Sequence, residues 1–251
     1  MMKVILAGES WIVQETHFKG FDTAMLNRYE DFFANAFFDV LKKNQVELDY
    51  YPNHLAQLTF PDTVEALKDY DVVIISDCGS NTLLLHPEMQ FKGIKKGNRL
   101  IAIKDYVKQG GSLLMCGGYL SFAGIENKAR YAMTPLADVL PVEILNYDDR
   151  VEHPEGVRPV TVMKDHPVLD GIVTDVWPEF LGYNKIKAKK EAAEIAIVND
   201  DTFMAAMDYG QGRSFAFASD LAPHWGSQDF IDWEGYEPLF MNILKWLAKE
   251  K

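Results

Sequence analysis

Cysteine is scarce in this 251-residue chain, which contains only Cys78 and Cys116. Two cysteines do not make the Cys/His cluster of a metal-binding module, so the sequence predicts no metal and no cofactor. No apolar run approaches the ~18 residues of a membrane-spanning helix. The run at residues 1–7 stops at Gly8 and Glu9, too early for the apolar core of a signal peptide. We therefore expect a cytoplasmic protein with reduced thiols.

Basic residues are also few, because 25 lysines and arginines stand against 37 aspartates and glutamates, a formal net charge of −12. Binding to nucleic acid or to an anionic membrane needs basic surface, so neither is an expected partner. Hydrophobic residues make up 48% of the chain, as is typical of a folded globular protein. We interpret residues 1–251 as a single domain whose expected partners are a small-molecule ligand and further copies of itself in a homo-oligomer.

Strand-like and helical segments alternate in the first half of the chain. Short apolar runs predict strands at residues 3–7, 46–51, 72–76 and 112–116. Helical patterns lie between them at residues 61–68 and 98–108. Further strands, two of them joined by a glycine-rich turn, are predicted at residues 195–199, 203–209 and 214–218. This pattern predicts an α/β fold with a mostly parallel sheet and added antiparallel strands near the C-terminus.

The most regular helical pattern follows residue 27. Apolar side chains recur there at intervals of three and four residues and predict one buried stripe, formed by Tyr29, Phe32, Phe33, Ala36, Phe37, Val40 and Leu41. Asn27, with Glu30 three residues later, predicts a capping box at the start of this helix. Residues 12–22, which precede it, are interpreted as a polar loop.

Polar residues lie at the ends of three of the predicted strands, namely Glu9, Asp77 and Cys116. Because the carboxyl ends of parallel strands meet at one edge of a sheet, we expect these residues to line one crevice. The Cys116 thiol has two interpretations: an activated nucleophile, or a small buried side chain that packs like an apolar one. Cys78 is expected to pack, because the carboxylate beside it raises a thiol pKa.

Short motifs at the strand ends and in the later loops are spread along nearly the whole chain. They are Gly8-Glu9-Ser10-Trp11, Lys19-Gly20-Phe21-Asp22, Gly117-Gly118-Tyr119-Leu120-Ser121-Phe122, Lys128-Ala129-Arg130-Tyr131, Leu140-Pro141-Val142 and Asp220-Leu221-Ala222-Pro223-His224-Trp225-Gly226. With these motifs the chain resembles the class I glutamine amidotransferase-like superfamily, in its ThuA-like and unassigned amidotransferase branches. The resemblance implies a flavodoxin-like three-layer sandwich. It implies less about the reaction, because the superfamily includes glutaminases, peptidases and members without known activity.

The catalytic motif of that superfamily is matched in part. Its members carry a nucleophilic cysteine in a Gly-x-Cys-x-Gly-x-Gln turn and, later in the chain, a His-x-Glu pair. Cys116 and Gly118 match the cysteine and the second glycine, and His224 matches the histidine. The first glycine, the glutamine and the glutamate are replaced here by Leu114, Leu120 and Gly226. The resemblance thus implies a thiol and an imidazole, and leaves the acid that would orient the imidazole unmatched.

Candidate site residues follow from the crevice and from the resemblance. The catalytic candidates are Cys116 as nucleophile, His224 as base and Asp220 as orienting acid, with Glu234 as the other nearby acid. The ligand-binding candidates are Glu9, Trp11, His17, Asp77, Gly117, Gly118, Tyr119, Arg130 and Trp225. The two glycines would offer backbone N–H groups to an oxyanion, and Arg130, like Arg150, either binds an anion or forms a surface ion pair.

A metal site at the same edge is the less favoured of two interpretations. The polar residues that could take part are Glu9, His17, Asp22 and His224. Their spacing matches no known metal signature, so a hydrogen-bonded rim that orients the loops is preferred.

Two functions remain open from the sequence. The first is hydrolysis or transfer of an amide or acyl group of a small molecule through Cys116 and His224. The second is a non-catalytic ligand-binding or oligomeric scaffold that keeps the fold without a complete triad. A reactive thiol in contact with the imidazole favours the first, and a buried, inert thiol favours the second.

Overall fold

A computed structural model describes residues 1–31 and 33–250. Its strands are β1 Lys3–Gly8, β2 Trp11–Lys19, β3 Asp22–Glu30, β4 Glu47–Tyr51, β5 Val72–Ser76, β6 Ser112–Cys116, β7 Val142–Ile144, β8 Arg150–Val157, β9 Val160–Thr161, β10 Phe180–Asn184, β11 Ile186–Ala188, β12 Ala193–Val198, β13 Asp201–Tyr209 and β14 Gly212–Phe217. Its α-helices are α1 Asn35–Lys43, α2 Asn53–Thr59, α3 Val64–Leu67, α4 Ser80–Leu84, α5 Pro87–Lys92, α6 Arg99–Lys108, α7 Leu136–Val139, α8 Gln228–Ile231 and α9 Tyr236–Leu247. Short 3-10 helices lie at Ile125–Asn127, Tyr131–Met133 and Pro167–Leu169.

A ten-stranded sheet forms the centre of the molecule, in the order β4-β1-β5-β6-β14-β13-β11-β7, with β12 beside β13 and β9 beside β12. The pairs from β4 to β14 are parallel. The pairs from β14 to β7 are antiparallel. This is the predicted mostly parallel sheet with antiparallel strands near the C-terminus, and the flavodoxin-like α/β class is confirmed.

The middle of this sheet is covered on both faces. Every residue of β5 and β6 is buried, and α6 and α9 both pack against β6 and β14. Each buried Val, Ile or Leu of these strands contributes about 1.5–3 kcal/mol relative to an exposed position. α9 also meets α1, where the rings of Phe37 and Phe240 lie 5.2 Å apart. The core therefore holds the carboxyl ends of β1, β5, β6 and β14 side by side at one edge.

Residues 11–30 differ from the prediction, because β2 and β3 form an antiparallel hairpin in a two-stranded sheet of their own. Two residues, Gly20 and Phe21, connect the strands, and Gly20 has φ +64°. A two-residue hairpin turn requires such a positive φ, which glycine adopts without strain. The predicted polar loop at residues 12–22 is therefore wrong.

The helix prediction was wrong at its start and correct further along. Asn27 and Glu30 are residues of β3, so the predicted capping box does not exist. α1 begins at Asn35, and Phe37, Val40 and Leu41 of the predicted stripe are buried on it. Phe32 of that stripe lies outside the described residues. No helix in residues 1–31 and 33–250 has the length and apolar character needed to cross a membrane.

Candidate functional site

A cavity of about 390 Å³ opens at the carboxyl edge of the parallel strands. The residues that line it are Glu9, Trp11, Phe33, Asp77, Tyr119, Asp220, Pro223 and His224. Apart from Phe33, which follows β3, they follow β1, β5, β6 and β14, which the parallel pairing places side by side. Ligands of open α/β sheets bind at this edge, and the volume suits a small organic molecule.

Three residues that line this cavity have strained backbone conformations. Glu9 and Asp77, which directly follow β1 and β5, have φ values of +50° and +46°, and His224 has φ +132°. Non-glycine residues rarely adopt such conformations, and strained residues cluster at functional sites. The turn after β1 is held by the N–H of Glu9, which donates to the carbonyl of Ser76 over 3.1 Å.

Glu9 forms the buried floor of the cavity, with 5% of its surface exposed. The hydroxyl of Ser76 donates a hydrogen bond to its Oε1. Burial, together with the charges of Asp77 and Asp220, raises the pKa of Glu9 well above its usual range, and the bond from Ser76 offsets this only in part. Its burial thus favours the neutral form of the Glu9 carboxyl more than water does.

Asp77 is the second buried carboxyl of the cavity. Its Oδ1 accepts the N–H of Leu120 over 2.7 Å, and its own N–H donates to the hydroxyl of Ser121 over 3.1 Å. Burial and the charge of Asp220 raise the pKa of Asp77 to about 7. Near neutral pH this carboxyl therefore exists in both protonation states and can give or accept a proton.

Asp220 and His224 form a hydrogen-bonded pair that lines the cavity after β14. Nδ1 of His224 lies 2.9 Å from Oδ2 of Asp220, which also accepts the backbone N–H of Trp225 over 3.0 Å. Burial lowers the pKa of His224, but the bond to Asp220 and the nearby charges, Glu152 and Asp77 included, outweigh it and the net shift is upward. The imidazole is 47% exposed, so it reaches the cavity.

Gly118 lies between the two aspartates. A Cβ at this position would stand 2.7 Å from Oδ1 of Asp220 and 2.9 Å from Oδ1 of Asp77, and Gly118 has φ +129°. Asn184 fixes the glycine from behind: its Oδ1 accepts the Gly118 N–H over 3.0 Å, and its Nδ2 donates to the Gly118 carbonyl over 3.2 Å. Nδ2 of Asn184 also donates to the buried Asp149.

Gly117 and Gly118, whose N–H groups were the predicted oxyanion donors, use those groups within the protein. The N–H of Gly117 donates to the carbonyls of Phe217 and Ser219, at 2.8 and 2.9 Å. Both glycine N–H groups are thus already hydrogen-bonded within the protein, and neither lines the cavity. Their geometry favours a structural part in holding the loop after β6.

Cys116 is fully buried at the end of β6, between Ser76 of β5 and Phe217 of β14. Burial and the charges of Glu9 and Asp220 raise the pKa of its thiol well above its usual range. Within residues 1–31 and 33–250, no hydrogen bond joins Cys116 to His224. Cys78 is buried as well, and burial and then Asp77 raise its pKa.

The structure places the other candidates at different distances from the cavity. Trp11 and Tyr119 line it, and Trp225 is buried behind His224, with the ring centroids 5.4 Å apart. His17 lies in the exposed hairpin beside Glu15. Asp22, Arg130 and Glu234 are also exposed and away from the cavity. Arg150 pairs with Asp148 over 2.7 Å and lies 4.8 Å from the Tyr119 ring centre.

Three residues that shape the site were not singled out from the sequence. Phe33, assigned to a helix stripe, lines the cavity. Glu152 accepts the Tyr119 hydroxyl over 2.9 Å and the indole N–H of Trp225 over 3.0 Å, and so holds both rings. Asn184 positions Gly118 from 66 residues away. Such pairings leave no local signal in a sequence, because they depend on how distant segments meet.

The lining of the cavity is mainly acidic, and among its described residues the imidazole of His224 is the one group that can carry a positive charge. Three carboxyl groups line it, and none of the eight described lining residues is a lysine or an arginine. In the described part of the chain, no group of three or more His, Cys, Asp or Glu side chains is arranged to hold a metal ion. Aromatic walls with buried carboxyls suit an uncharged or cationic group better than an anion.

The chain is similar to one protein family and to several solved structures. The family model GATase1_like, described as "Putative glutamine amidotransferase", matches residues 3–249. None of the curated proteins with which the chain was compared matches it. Two solved structures of cytoplasmic proteins from Salmonella typhimurium are 45% and 43% identical in sequence to this chain, with TM-scores of 0.94 and 0.92. Each comparison covers 98% of this chain and 99% of the relative. A ThuA-like protein from Bacteroides uniformis shares the fold at 14% identity and a TM-score of 0.56, over 98% of this chain and 91% of its own.

Proposed function

Since the chain belongs to the GATase1_like family of glutamine amidotransferase-like proteins, we propose that its carboxyl-edge cavity binds a small molecule and hydrolyses an amide or acyl bond in it by general acid–base catalysis. The observation that carries this proposal is that the Asp220–His224 pair faces the same cavity as Asp77, whose pKa lies near neutrality. Such matched groups are what proton transfer at neutral pH requires. The name of the Salmonella relatives supports a cytoplasmic location.

His224 has the geometry of a general base. With Nδ1 held by Asp220, Nε2 is left to take a proton from a water molecule in the cavity. The water oxygen bonds to the carbonyl carbon, and Asp77 in its protonated form gives a proton to the leaving nitrogen or oxygen as its bond to that carbon breaks. The proton on His224 then returns to Asp77 through solvent, which restores both groups.

Cys116 takes no part in this scheme. A nucleophilic thiol needs a lowered pKa and access to substrate, whereas Cys116 is fully buried and its thiol pKa is raised by burial. The predicted thiol mechanism therefore has less support than the acid–base scheme.

We expect both cysteines to resist alkylation in the native protein. Iodoacetamide at pH 7.5 should leave Cys116 and Cys78 unmodified, because both are buried. Both should react once the protein is unfolded, and peptide mapping by mass spectrometry separates the two sites. Rapid native modification of Cys116, with Cys78 unreacted, would restore the thiol mechanism.

Variants of the three candidate residues test the proposed reaction. Glutamine and p-nitrophenyl acetate serve as the first amide and ester probes, read by ammonia and nitrophenol release. We expect His224→Asn and Asp77→Asn each to lower the rate at least about 100-fold, the scale of a lost acid or base. Cys116→Ala should leave the rate unchanged. A rate abolished by Cys116→Ala and retained in Asp77→Asn would contradict the proposal.

The second candidate function, ligand binding without catalysis, is favoured by one specific observation. The superfamily's glutamine and glutamate are replaced by Leu120 and Gly226, while the cavity and its strained backbone are intact. Under this alternative, a panel of small amides and esters that bind the wild-type protein would give no product above the buffer rate.

A further inference from the structure

The β2–β3 hairpin stands apart from the central sheet and exposes large apolar side chains. They include Ile12, Phe18, Phe21, Met25 and Leu26, with exposed fractions from 54% to over 100%. A two-stranded hairpin on its own is at best marginally stable in water. From this exposed surface we infer that the hairpin is an interface, and that a second copy of this chain covers it.

The hairpin has one face without any charge. Residues directly opposite each other in an antiparallel pair share a face. One face consists of the pairs Ile12 with Tyr29, Gln14 with Asn27, Thr16 with Met25, and Phe18 with Thr23. We call this set the uncharged face. Near the base of the hairpin it meets the body of its own chain, where the rings of Tyr29 and His54 lie 4.7 Å apart. Its outer part, with Phe18 77% and Met25 61% exposed, has open surface.

The charges of the hairpin lie on the opposite face and compensate one another. Arg28 pairs with Glu15 and, over 2.6 Å, with Glu30, and Lys19 is the cross-strand neighbour of Asp22. Residues 11–30 thus carry two basic and three acidic side chains within a chain of net charge −12. A nucleic acid or an anionic membrane would need an excess of basic charge that this hairpin does not have.

Charge favours the uncharged face as the place where two copies meet. Two copies of a protein with a net charge of −12 repel each other over most of their surfaces. At the uncharged face this repulsion is smallest, and apolar side chains can be buried against their equivalents. A two-fold arrangement, in which the same surface of each copy meets the other, is the commonest form of self-association.

The uncharged face forms one part of a dimer interface. Standard protein interfaces use about 20–30 residues from each partner; this face supplies eight of them, and the surface under the partner's hairpin supplies the rest. In a two-fold arrangement each copy contributes this hairpin and the surface on which the partner's hairpin lies. Trp11 and Phe33, which both line the cavity, lie at the base of the hairpin, away from this contact.

Sedimentation equilibrium tests the interface directly. We expect the wild-type protein to be a dimer or a larger symmetric oligomer at micromolar concentration. The double variant Phe18→Asp/Met25→Asp should weaken self-association at least about tenfold, because two charges from each copy would be buried in the contact. Phe91→Asp is the matched control, since Phe91 on α5 is 78% exposed but lies outside the hairpin. A monomeric wild type, or a double variant that associates like the wild type, would overturn the inference.

A cross-linking experiment avoids any effect of the charged variants on folding. Both native cysteines are buried, so a single cysteine introduced at the surface is the reactive one. With a short bismaleimide, Thr16→Cys on the uncharged face should give covalent dimers, and Phe91→Cys should give monomers. Equal cross-linking of the two variants counts against the inference. A monomeric protein that co-sediments with phosphatidylcholine vesicles would also count against the inference, because it would identify the outer part of the uncharged face as a lipid contact.

Discussion

The Gly118→Ala variant should lose the geometry of the site and about 3 kcal/mol or more of stability. The added methyl group would lie within 3 Å of Oδ1 of both Asp77 and Asp220, at a backbone φ of +129°. Neither carboxyl can move away at low cost. Asp77 is held by the N–H of Leu120, and Asp220 by His224 and the N–H of Trp225. Thermal and urea unfolding measure the loss, and hydrolysis of the probes measures the effect on the site.

Gly93→Ala separates the two causes of that loss. Gly93 also has a positive φ, +67°, but a Cβ there would meet no atom within 4 Å. Its substitution should cost only the backbone strain of a left-handed residue, about 1–2 kcal/mol, and leave the site unaffected. If Gly118→Ala cost no more than Gly93→Ala, the tight contact between the loop after β6 and the two aspartates would be refuted.

The second large effect is a loss of stability as the pH rises from 5 to 8. A carboxyl with a raised pKa binds its proton more tightly in the folded than in the unfolded state. Its stabilising contribution is complete below the unfolded pKa, near 4, and falls as the pH rises through the folded pKa, which for Asp77 is about 7. The raised pKa of Glu9 acts in the same direction. So does that of His224, because a histidine with a raised pKa stabilises the fold only while it is protonated.

Asp77→Asn should therefore be more stable than the wild type at pH 8, by on the order of 2–4 kcal/mol, and similar to it at pH 5. The amide keeps an oxygen for the N–H of Leu120 but carries no charge among the carboxyls. Asp69→Asn, at an exposed position before β5, is the control that should show no such gain. Urea unfolding at both pH values gives the comparison, and equal stabilities of wild type and Asp77→Asn at pH 8 would disprove the carboxyl cluster.

This gain in stability would accompany the loss of activity expected for the same variant. Burying like charges together is unfavourable for folding, and active sites hold such groups because their shifted pKa values serve proton transfer. A variant that is more stable and inactive would therefore support the proposed role of Asp77. A variant that is more stable and fully active would assign the carboxyl cluster to another purpose.

The hairpin shows how local patterns can mislead. Tyr29 fits the three- and four-residue spacing of the helix that follows, so periodicity extended that helix backwards into β3. The local signal for the correct structure was present: Gly20 and Phe21 form a two-residue turn between two segments of nine residues each. It was weak because both strands are exposed on both faces, so neither shows the alternation of apolar and polar residues that marks a half-buried strand.

For the site, the sequence predicted the strand ends but not which side chains reach the cavity. The sequence located the strand ends at Glu9, Asp77 and Cys116, and the parallel pairing brings those ends together. Which side chains reach the cavity was decided by a few backbone angles and by burial. The positive φ values of Glu9 and Asp77 accompany side chains that line the cavity, whereas Cys116, the last residue of β6, stays within the core.

Sequence alone determined the family, the α/β class and the position of the central strands, because the continuous apolar runs of β5 and β6 are stable only when buried on both faces. Tertiary structure decided the chemistry of the cavity. It paired His224 with Asp220, moved the pKa of Asp77 to about 7, and left the thiol of Cys116 inside. The physical reason is that pKa values and hydrogen bonds depend on distances between residues far apart in the chain, and those distances exist only in the folded protein.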